Sequence, residues 1–170
     1  MKRLTLLVVI LCTLAPFVLA QKTTVDWDRS VTDFSGFKTY SWTKPVKSTP
    51  NPLMDQRIVA AIDSQLAAKG LQKAESGGDL LVTYSAGIHK ETSAVATGFG
   101  GWRRGGGMGR VDPVVENKGT LVVDLSNGKD KALIWRGTAA DTLSDNPDKN
   151  SKKIEKAVEK MFKNYPPKKK

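Results

Sequence analysis

Apolar and polar residues alternate in several short stretches of the chain, as they do in β-strands that turn one face to a core. In residues 80–89, Leu80, Val82 and Tyr84 share one face, and the residues between them share the other. Further stretches are rich in the β-branched and aromatic residues that favour strands, and they span residues 25–27, 37–42, 120–125 and 132–139. Asn-Gly at positions 127–128 favours a tight hairpin between the last two strands.

Two other stretches repeat their apolar residues every three or four positions and therefore predict amphipathic helices. Each follows an Asn-Pro pair, at positions 51–52 and 146–147. Asn accepts hydrogen bonds from free amides at a helix start, and Pro suits the first helical position. We expect the first helix to end at Gly70 and the second before Pro166. The positions predicted to face a core are Met54, Ile58, Ile62, Leu66, Ile154, Ala157, Val158, Met161, Phe162 and Tyr165.

The predicted element order is β-β-α-β-loop-β-β-α. Strands that are neighbours in sequence usually pair, and most of the connections are short enough for antiparallel neighbours. The pattern thus predicts an α+β fold in which a single largely antiparallel sheet carries two amphipathic helices packed on one face. On the first helix, Asp55, Asp63 and Lys69 fall on the opposite side from the apolar stripe, so we expect them to face water.

Residues 1–20 have the three parts of a secretory signal peptide. Lys2 and Arg3 form the charged start, residues 4–14 form the apolar run, and residues 18–20 form a small-residue cleavage site. A retained transmembrane anchor is the alternative, but Pro16 interrupts a run that is already shorter than the ~20 residues of a span. We expect cleavage after Ala20 and an exported protein that is periplasmic or associated with the outer membrane.

The single cysteine, Cys12, lies inside the apolar run and follows the large residue Leu11. An acylated cysteine would follow a small residue at the end of such a run, so we interpret Cys12 as an ordinary residue of the signal peptide. The mature chain then contains no cysteine, which excludes disulfides, thiolate nucleophiles and cysteine-based metal sites. The predicted organisation is a signal peptide (1–20), one domain (21–165) with a glycine-rich loop (98–110) inserted, and a basic Pro/Lys tail (166–170).

Positive charge is concentrated at the C-terminus of the chain. The full sequence carries a formal charge of +10, and residues 151–170 contain eight Lys against two Glu. Such a segment can attach to phosphate polymers or anionic lipid surfaces in a salt-sensitive way, or it can serve as a solvated face that keeps the protein soluble. No specific recognition of nucleic acid is predicted.

The glycine-rich loop is the candidate interaction site. Seven glycines fall between positions 98 and 109, which opposes regular structure because glycine loses much backbone entropy on ordering. Aromatic and guanidinium groups on such a loop can stack on sugars or bases, or bind phosphates. A plain hairpin connection is the alternative. The residues concerned are Phe99, Trp102, Arg103, Arg104 and Arg110.

No catalytic, metal or cofactor motif is found in the sequence. His89 is the only histidine, and no nucleophile is placed beside it by a known motif. The glycine-rich run lacks the Lys-Ser/Thr ending of a phosphate-binding loop. We therefore predict no catalytic residue, no metal and no cofactor. Asp124 and Arg136 are expected to form a cross-strand ion pair, and Trp42 and Trp135 to pack in the core. Arg57 is expected to pair with an acidic neighbour.

Several segments together resemble the DUF4136 family of small bacterial cell-envelope proteins, many of which are lipoproteins. The matching segments are residues 33–42, 51–53, 69–71, 79–84, 119–125, 134–139 and 165–167. The chain departs from the family in lacking the cysteine to which a lipid would be attached. The resemblance implies an α+β envelope domain and supplies no reaction.

These observations predict a non-enzymatic, exported cell-envelope protein that binds or supports another, unknown envelope component. One alternative is a binder of anionic polymers or membrane surfaces that uses the Trp/Arg loop and the Lys-rich C-terminus. Another is a hydrolase of envelope polymers, which would need an acid–base pair of side chains in a cleft.

Overall fold

The computed structural model describes residues 21–31, 33–43, 49, 51–97 and 110–168, and of residues 95–97, 110 and 111 it describes the backbone alone. The elements are β1 (Lys22–Trp27), β2 (Thr39–Trp42), α1 (Pro52–Ala68), β3 (Gln72–Lys73), β4 (Leu80–Thr97), β5 (Arg110–Asn127), β6 (Leu133–Thr142) and α2 (Pro147–Phe162).

The six strands form one sheet in the order β1-β6-β5-β4-β2-β3. The pairs β1–β6, β6–β5 and β5–β4 are antiparallel, whereas β2 runs parallel to β4 and to β3. The predicted α+β class and the largely antiparallel sheet are therefore confirmed. The first two strands, although they are neighbours in sequence, do not pair with each other. Helix α1 connects β2 to β4 as a crossover, which favours a parallel pair, and β1 pairs with the last strand instead.

Both helices cover the same face of the sheet, as predicted. Every second residue of the central strands points into a single core cluster that also contains the apolar stripes of α1 and α2. The fully buried members of this cluster include Ile62, Leu66, Val82, Val123, Leu125, Val158 and Phe162. Burial of side chains of this size contributes about 1.5–3 kcal/mol each, so the core holds the helices on the sheet without any covalent link.

The helix ends follow the sequence signals. The side-chain oxygen of Asn51 accepts a hydrogen bond from the backbone N–H two residues later, and Asn146 does the same for two amides in the first turn of α2. Gly70 has a φ of +83°, which non-glycine residues rarely adopt. The N–H of Leu71 then reaches the carbonyl of Leu66, so that α1 ends in the turn that a C-terminal glycine favours.

Strands β4 and β5 are much longer than predicted, at 18 residues each. Their outer parts, residues 90–97 and 110–117, pair with each other beyond the end of β6, which pairs with β5 only as far as Lys118. We call these residues the ribbon. The described side chains of residues 90–94 are exposed. This segment therefore lacks the alternation of buried apolar and exposed polar residues from which a strand could be predicted.

Tyr165 provides a test of the core. Its ring packs edge-on against Phe34, Trp135 and Phe162, but its hydroxyl is buried and has no hydrogen-bond partner in the described part of the chain. Burial also raises the pKa of Tyr165. Because an unpaired buried hydroxyl costs free energy, Tyr165→Phe should raise the free energy of unfolding by about 1 kcal/mol in urea denaturation. Tyr165→Ala, the control, should lower it by about 3 kcal/mol. A clear loss of stability in Tyr165→Phe would contradict the packing described here.

Candidate functional site

The predicted interaction residues Phe99, Trp102, Arg103 and Arg104 lie outside the described residues, as does the predicted signal peptide. Arg110 is the first residue of β5, where its backbone pairs with Thr97, and its side chain is not described. The glycine-rich loop therefore stays a prediction. Arg110, the last residue of the predicted loop, belongs to strand β5.

The predicted ion pairs are confirmed. Asp124 and Arg136 stand opposite each other on β5 and β6, and two guanidinium nitrogens of Arg136 donate to the two carboxylate oxygens of Asp124 at 2.7 Å. This hydrogen bonding raises the pKa of Arg136. Arg57 on α1 lies 3.9 Å from the carboxylate of Asp148 on α2. Each pair has at least one partner that is half exposed or more, so solvent screens the attraction and each pair adds little to stability. Their role is structural.

The two predicted core tryptophans are placed differently. Trp135 is buried at 1% exposure, whereas Trp42 is partly buried and packs against the edge of the core. The indole N–H of Trp42 donates to a carboxylate, as described next.

Contrary to the prediction, Asp63 does not face water. Its carboxylate accepts hydrogen bonds of 2.8 Å from the hydroxyl of Tyr40, the indole N–H of Trp42 and the ammonium of Lys73. Burial alone would raise the pKa of Asp63, but the hydrogen bonds from Lys73, Trp42 and Tyr40 outweigh it and hold that pKa below its ordinary value. The four residues form what we call the Asp63 network, which fixes α1 to β2 and β3.

Several other polar side chains take structural or exposed positions. Asp28 and Asp33 each accept a backbone N–H two residues later and so stabilise local turns. His89 lies exposed on β4. Within the ranges that the structure describes, no three metal-ligating side chains lie together.

An apolar cleft of about 250 Å³, here called the cleft, opens on the surface of the described part of the chain. It lies between the first halves of α1 and α2 on one side and the neighbouring strands β4, β5 and β6 on the other. The larger apolar side chains that line it are Met54, Ile58, Leu121, Leu143 and Ile154.

The cleft exists because the sheet carries small residues below it. Ala86, Gly119 and Ala139 line the cleft, on the three central strands that further along carry Tyr84, Val123 and Trp135. A Cβ atom at Gly119 would lie 2.8 Å from Leu143, so glycine allows the segment after β6 to fold over this end of the sheet. The space between sheet and helices is thus open here, while it is filled elsewhere.

Few polar groups reach the cleft, and they lie at its rim. The ammonium of Lys153 donates to the carboxylate of Asp141 at 3.3 Å and to the carbonyl of Thr142 at 2.5 Å. The side-chain amide of Gln21 donates to the carbonyl of Lys153 at 3.0 Å. The described lining therefore contains one ammonium and one carboxylate, and these are paired with each other. This arrangement can hold an apolar group and orient a polar end, but it does not place a base beside a nucleophile.

Sequence reasoning missed the cleft. Ala86 and Ala139 come to lie on either side of Leu121, two residues along β5 from Gly119, only through the pairing of β4, β5 and β6, so no local pattern identifies these residues as a group. The one available signal was that the inward-facing residues change from large to small along each strand. This signal can be interpreted only once the register of the strands is known.

Comparison with known proteins identifies the chain by family and by fold. The family model described as "Domain of unknown function (DUF4136)" matches residues 23–167. A PDZ domain protein from Parabacteroides distasonis is similar in structure, with a TM-score of 0.61 and 18% identity over 87% of this chain and 36% of that one. This chain thus spans about a third of that relative, and the likeness concerns the fold alone. None of the curated proteins compared with the chain matches it.

Two further solved structures have weaker similarity. PelC from Paraburkholderia phytofirmans, described as a dodecamer, has a TM-score of 0.48 and 12% identity over 84% of this chain and 98% of its own. Lipoprotein GNA1162 from Neisseria meningitidis has a TM-score of 0.43 and 10% identity over 75% of this chain and 99% of its own. None of the helices that the structure describes is long and apolar enough to cross a membrane.

Proposed function

Given that this chain belongs to the DUF4136 family, we propose that it is an exported cell-envelope protein that binds an apolar ligand in the cleft and carries out no reaction of its own. The observation that carries this proposal is the cleft itself: about 250 Å³ of space with almost entirely apolar walls, formed by both helices and the three central strands. A concave apolar site with a few polar groups at its rim is the usual form of a small-molecule site.

The apolar walls would stabilise a ligand by burying its apolar surface. Each methylene group moved from water into an apolar site contributes about 0.8 kcal/mol, so a ligand must bury several of them to offset the loss of its freedom of motion. The chemistry of the rim argues against a hydrolase. Asp141 is the only carboxylate among the described lining residues, and its partner is Lys153 rather than a second acid or a histidine.

Binding in the cleft is tested with 1-N-phenylnaphthylamine, an apolar dye whose fluorescence increases in apolar surroundings. We expect saturable fluorescence with the purified protein. Ala86→Ile should reduce dye affinity at least about tenfold, because the larger side chain occupies the cleft and removes the space for several ligand carbons. Ala94→Ile on the same strand is the matched control, since Ala94 is exposed on the ribbon. Equal dye binding by the two variants, or no binding by the unchanged protein, would refute the proposal.

Export is tested separately by cell fractionation and intact mass. The predicted cleavage after Ala20 leaves every described strand complete, since β1 begins at Lys22. We expect the protein in the envelope or periplasmic fraction with a mass that starts at Gln21. Recovery from the cytosol with residues 1–20 still attached would contradict this part of the proposal.

A second candidate function is attachment to an anionic surface. Lys152, Lys156, Lys160 and Lys163 are all exposed on or just after α2. Charge attraction of this kind weakens steeply with salt because bound counterions are released. At about 0.5 M salt the Debye length is shorter than at physiological salt, so attraction between exposed charges is largely screened. Vesicle binding that disappears there would support this function. Binding that persists there would exclude an electrostatic origin.

A further inference from the structure

We propose that the cleft takes an aliphatic acyl chain of medium length, with the carboxylate or carbonyl oxygen of its head group at Lys153. This inference rests on the proposed function, because it specifies the ligand of the same site. It is carried by the chemistry of the walls, by the volume, and by the donors that are left over at the rim.

The apolar side chains of the described lining are aliphatic. Met54, Ile58, Leu121 and Ile154 are the bulkiest around the centre of the cleft, alanines and glycines add smaller surfaces, and the polar lining residues contribute little of the wall. No aromatic ring is among the described residues that line the cleft, so a planar ligand would find no ring on which to stack. These walls suit a flexible hydrocarbon chain, because its stabilisation depends on the apolar area that it buries and not on stacking.

The volume limits the size of the ligand. The cleft offers about 250 Å³, several times the ~30 Å³ that a water molecule takes in the liquid, so it admits a chain of several carbons. Ile88 also lines the cleft, with 58% of its surface exposed, and it continues the apolar wall outward. A chain of medium length therefore has its inner carbons in the cleft and its end on Ile88.

The rim retains donors for an oxygen atom. An ammonium group has three N–H donors, and that of Lys153 uses two of them for Asp141 and Thr142. Asn51 also lines the cleft, and its side-chain oxygen accepts the amide of Leu53, while its side-chain nitrogen makes no hydrogen bond to any described residue. A carboxylate or ester oxygen at this point would receive a charge-assisted hydrogen bond from Lys153.

The test measures displacement of 1-N-phenylnaphthylamine from the full protein by decanoate, by 1-decanol and by a lysophospholipid with a decanoyl chain. Decanoate should displace the dye more strongly than decanol does. Lys153→Met should lower the affinity for decanoate about tenfold and leave the affinity for decanol nearly unchanged, because a charge-assisted hydrogen bond is lost while the walls stay the same. Lys152→Met is the matched control, since Lys152 is exposed on the same helix outside the cleft.

The outcomes separate this inference from the proposed function. Absence of dye binding by the unchanged protein refutes the proposed function. Dye that binds but is displaced by neither decanoate nor the lysophospholipid refutes the acyl ligand and leaves the cleft as a site for another apolar group. An equal loss of affinity for decanoate and for decanol in Lys153→Met refutes the head-group contact. Stronger displacement by the lysophospholipid than by decanoate would support the inference and identify a glycerolipid, rather than a free fatty acid, as the source of the chain.

Discussion

Trp135→Ala is expected to lower the free energy of unfolding by about 3–5 kcal/mol, the range for a large aromatic removed from a packed core. Trp135 has 1% of its surface exposed, and its ring lies 4.8 Å from that of Phe162 and 5.8 Å from that of Tyr165, measured between centroids. It therefore joins β6 to α2 and to the segment that follows α2. Removal leaves a cavity that the sheet cannot close, because the strand pairs on both sides fix its backbone.

Urea denaturation followed by circular dichroism measures this effect. Trp27→Ala is the matched control, because Trp27 pairs with Trp135 in the sheet register but is only partly buried on the edge strand β1. We expect the control to lose clearly less stability. A loss below about 1.5 kcal/mol in Trp135→Ala would show that this residue does not fill the core as described.

Asp63→Ala is expected to cost about 3 kcal/mol, since it removes the acceptor of three hydrogen bonds and leaves the hydroxyl of Tyr40 unpaired at a position that is 2% exposed. Lys73→Ala removes one donor that is half exposed, so its cost should stay below about 1 kcal/mol. Similar losses from both variants would mean that the ion pair with Lys73, rather than the buried acceptor, holds the network together.

The Asp63 network also predicts a dependence of stability on pH. Because the folded-state pKa of Asp63 lies below its ordinary value of about 3.8, the ionised carboxylate adds stability at pH values above that ordinary value. This contribution is lost as the pH falls through the folded-state pKa. Asp63→Asn should therefore reduce the loss of stability between pH 4 and lower values. An unchanged acid profile in Asp63→Asn would contradict the lowered pKa.

Local signals made the helices predictable. Asn51 and Asn146 act through hydrogen bonds to amides two or three residues away, and Gly70 acts through its own backbone angle. The Asp124–Arg136 pair was predictable for a similar reason, because the connection between its two strands is short. The Asn-Gly pair itself does not form the expected tight turn, since the turn extends from Asn127 to Ala132 and its positive φ lies at Lys131. The signal in each case is local in the sequence.

The features that could not be predicted depend on contacts between distant residues. Asp63 has the spacing of a solvent-facing position on α1, and only the arrival of β2 and β3 beside it supplies Tyr40, Trp42 and Lys73 as donors. The outer part of β4 forms a strand although its described side chains, at residues 90–94, are all exposed, because its partner β5 provides the hydrogen bonds that stabilise it. The cleft likewise results from the register of three strands and from the positions of both helices.

The most direct test of the central claim, that the cleft is the ligand site, is a methyl NMR titration of the protein with 1-N-phenylnaphthylamine. We expect the methyl signals of Met54, Ile58 and Ile154 to shift with a common affinity, because these side chains line the cleft. Ile134, which is buried at the other end of β6, should keep its position. Shifts centred on Ile134 while Met54 and Ile154 stay unchanged would contradict the account.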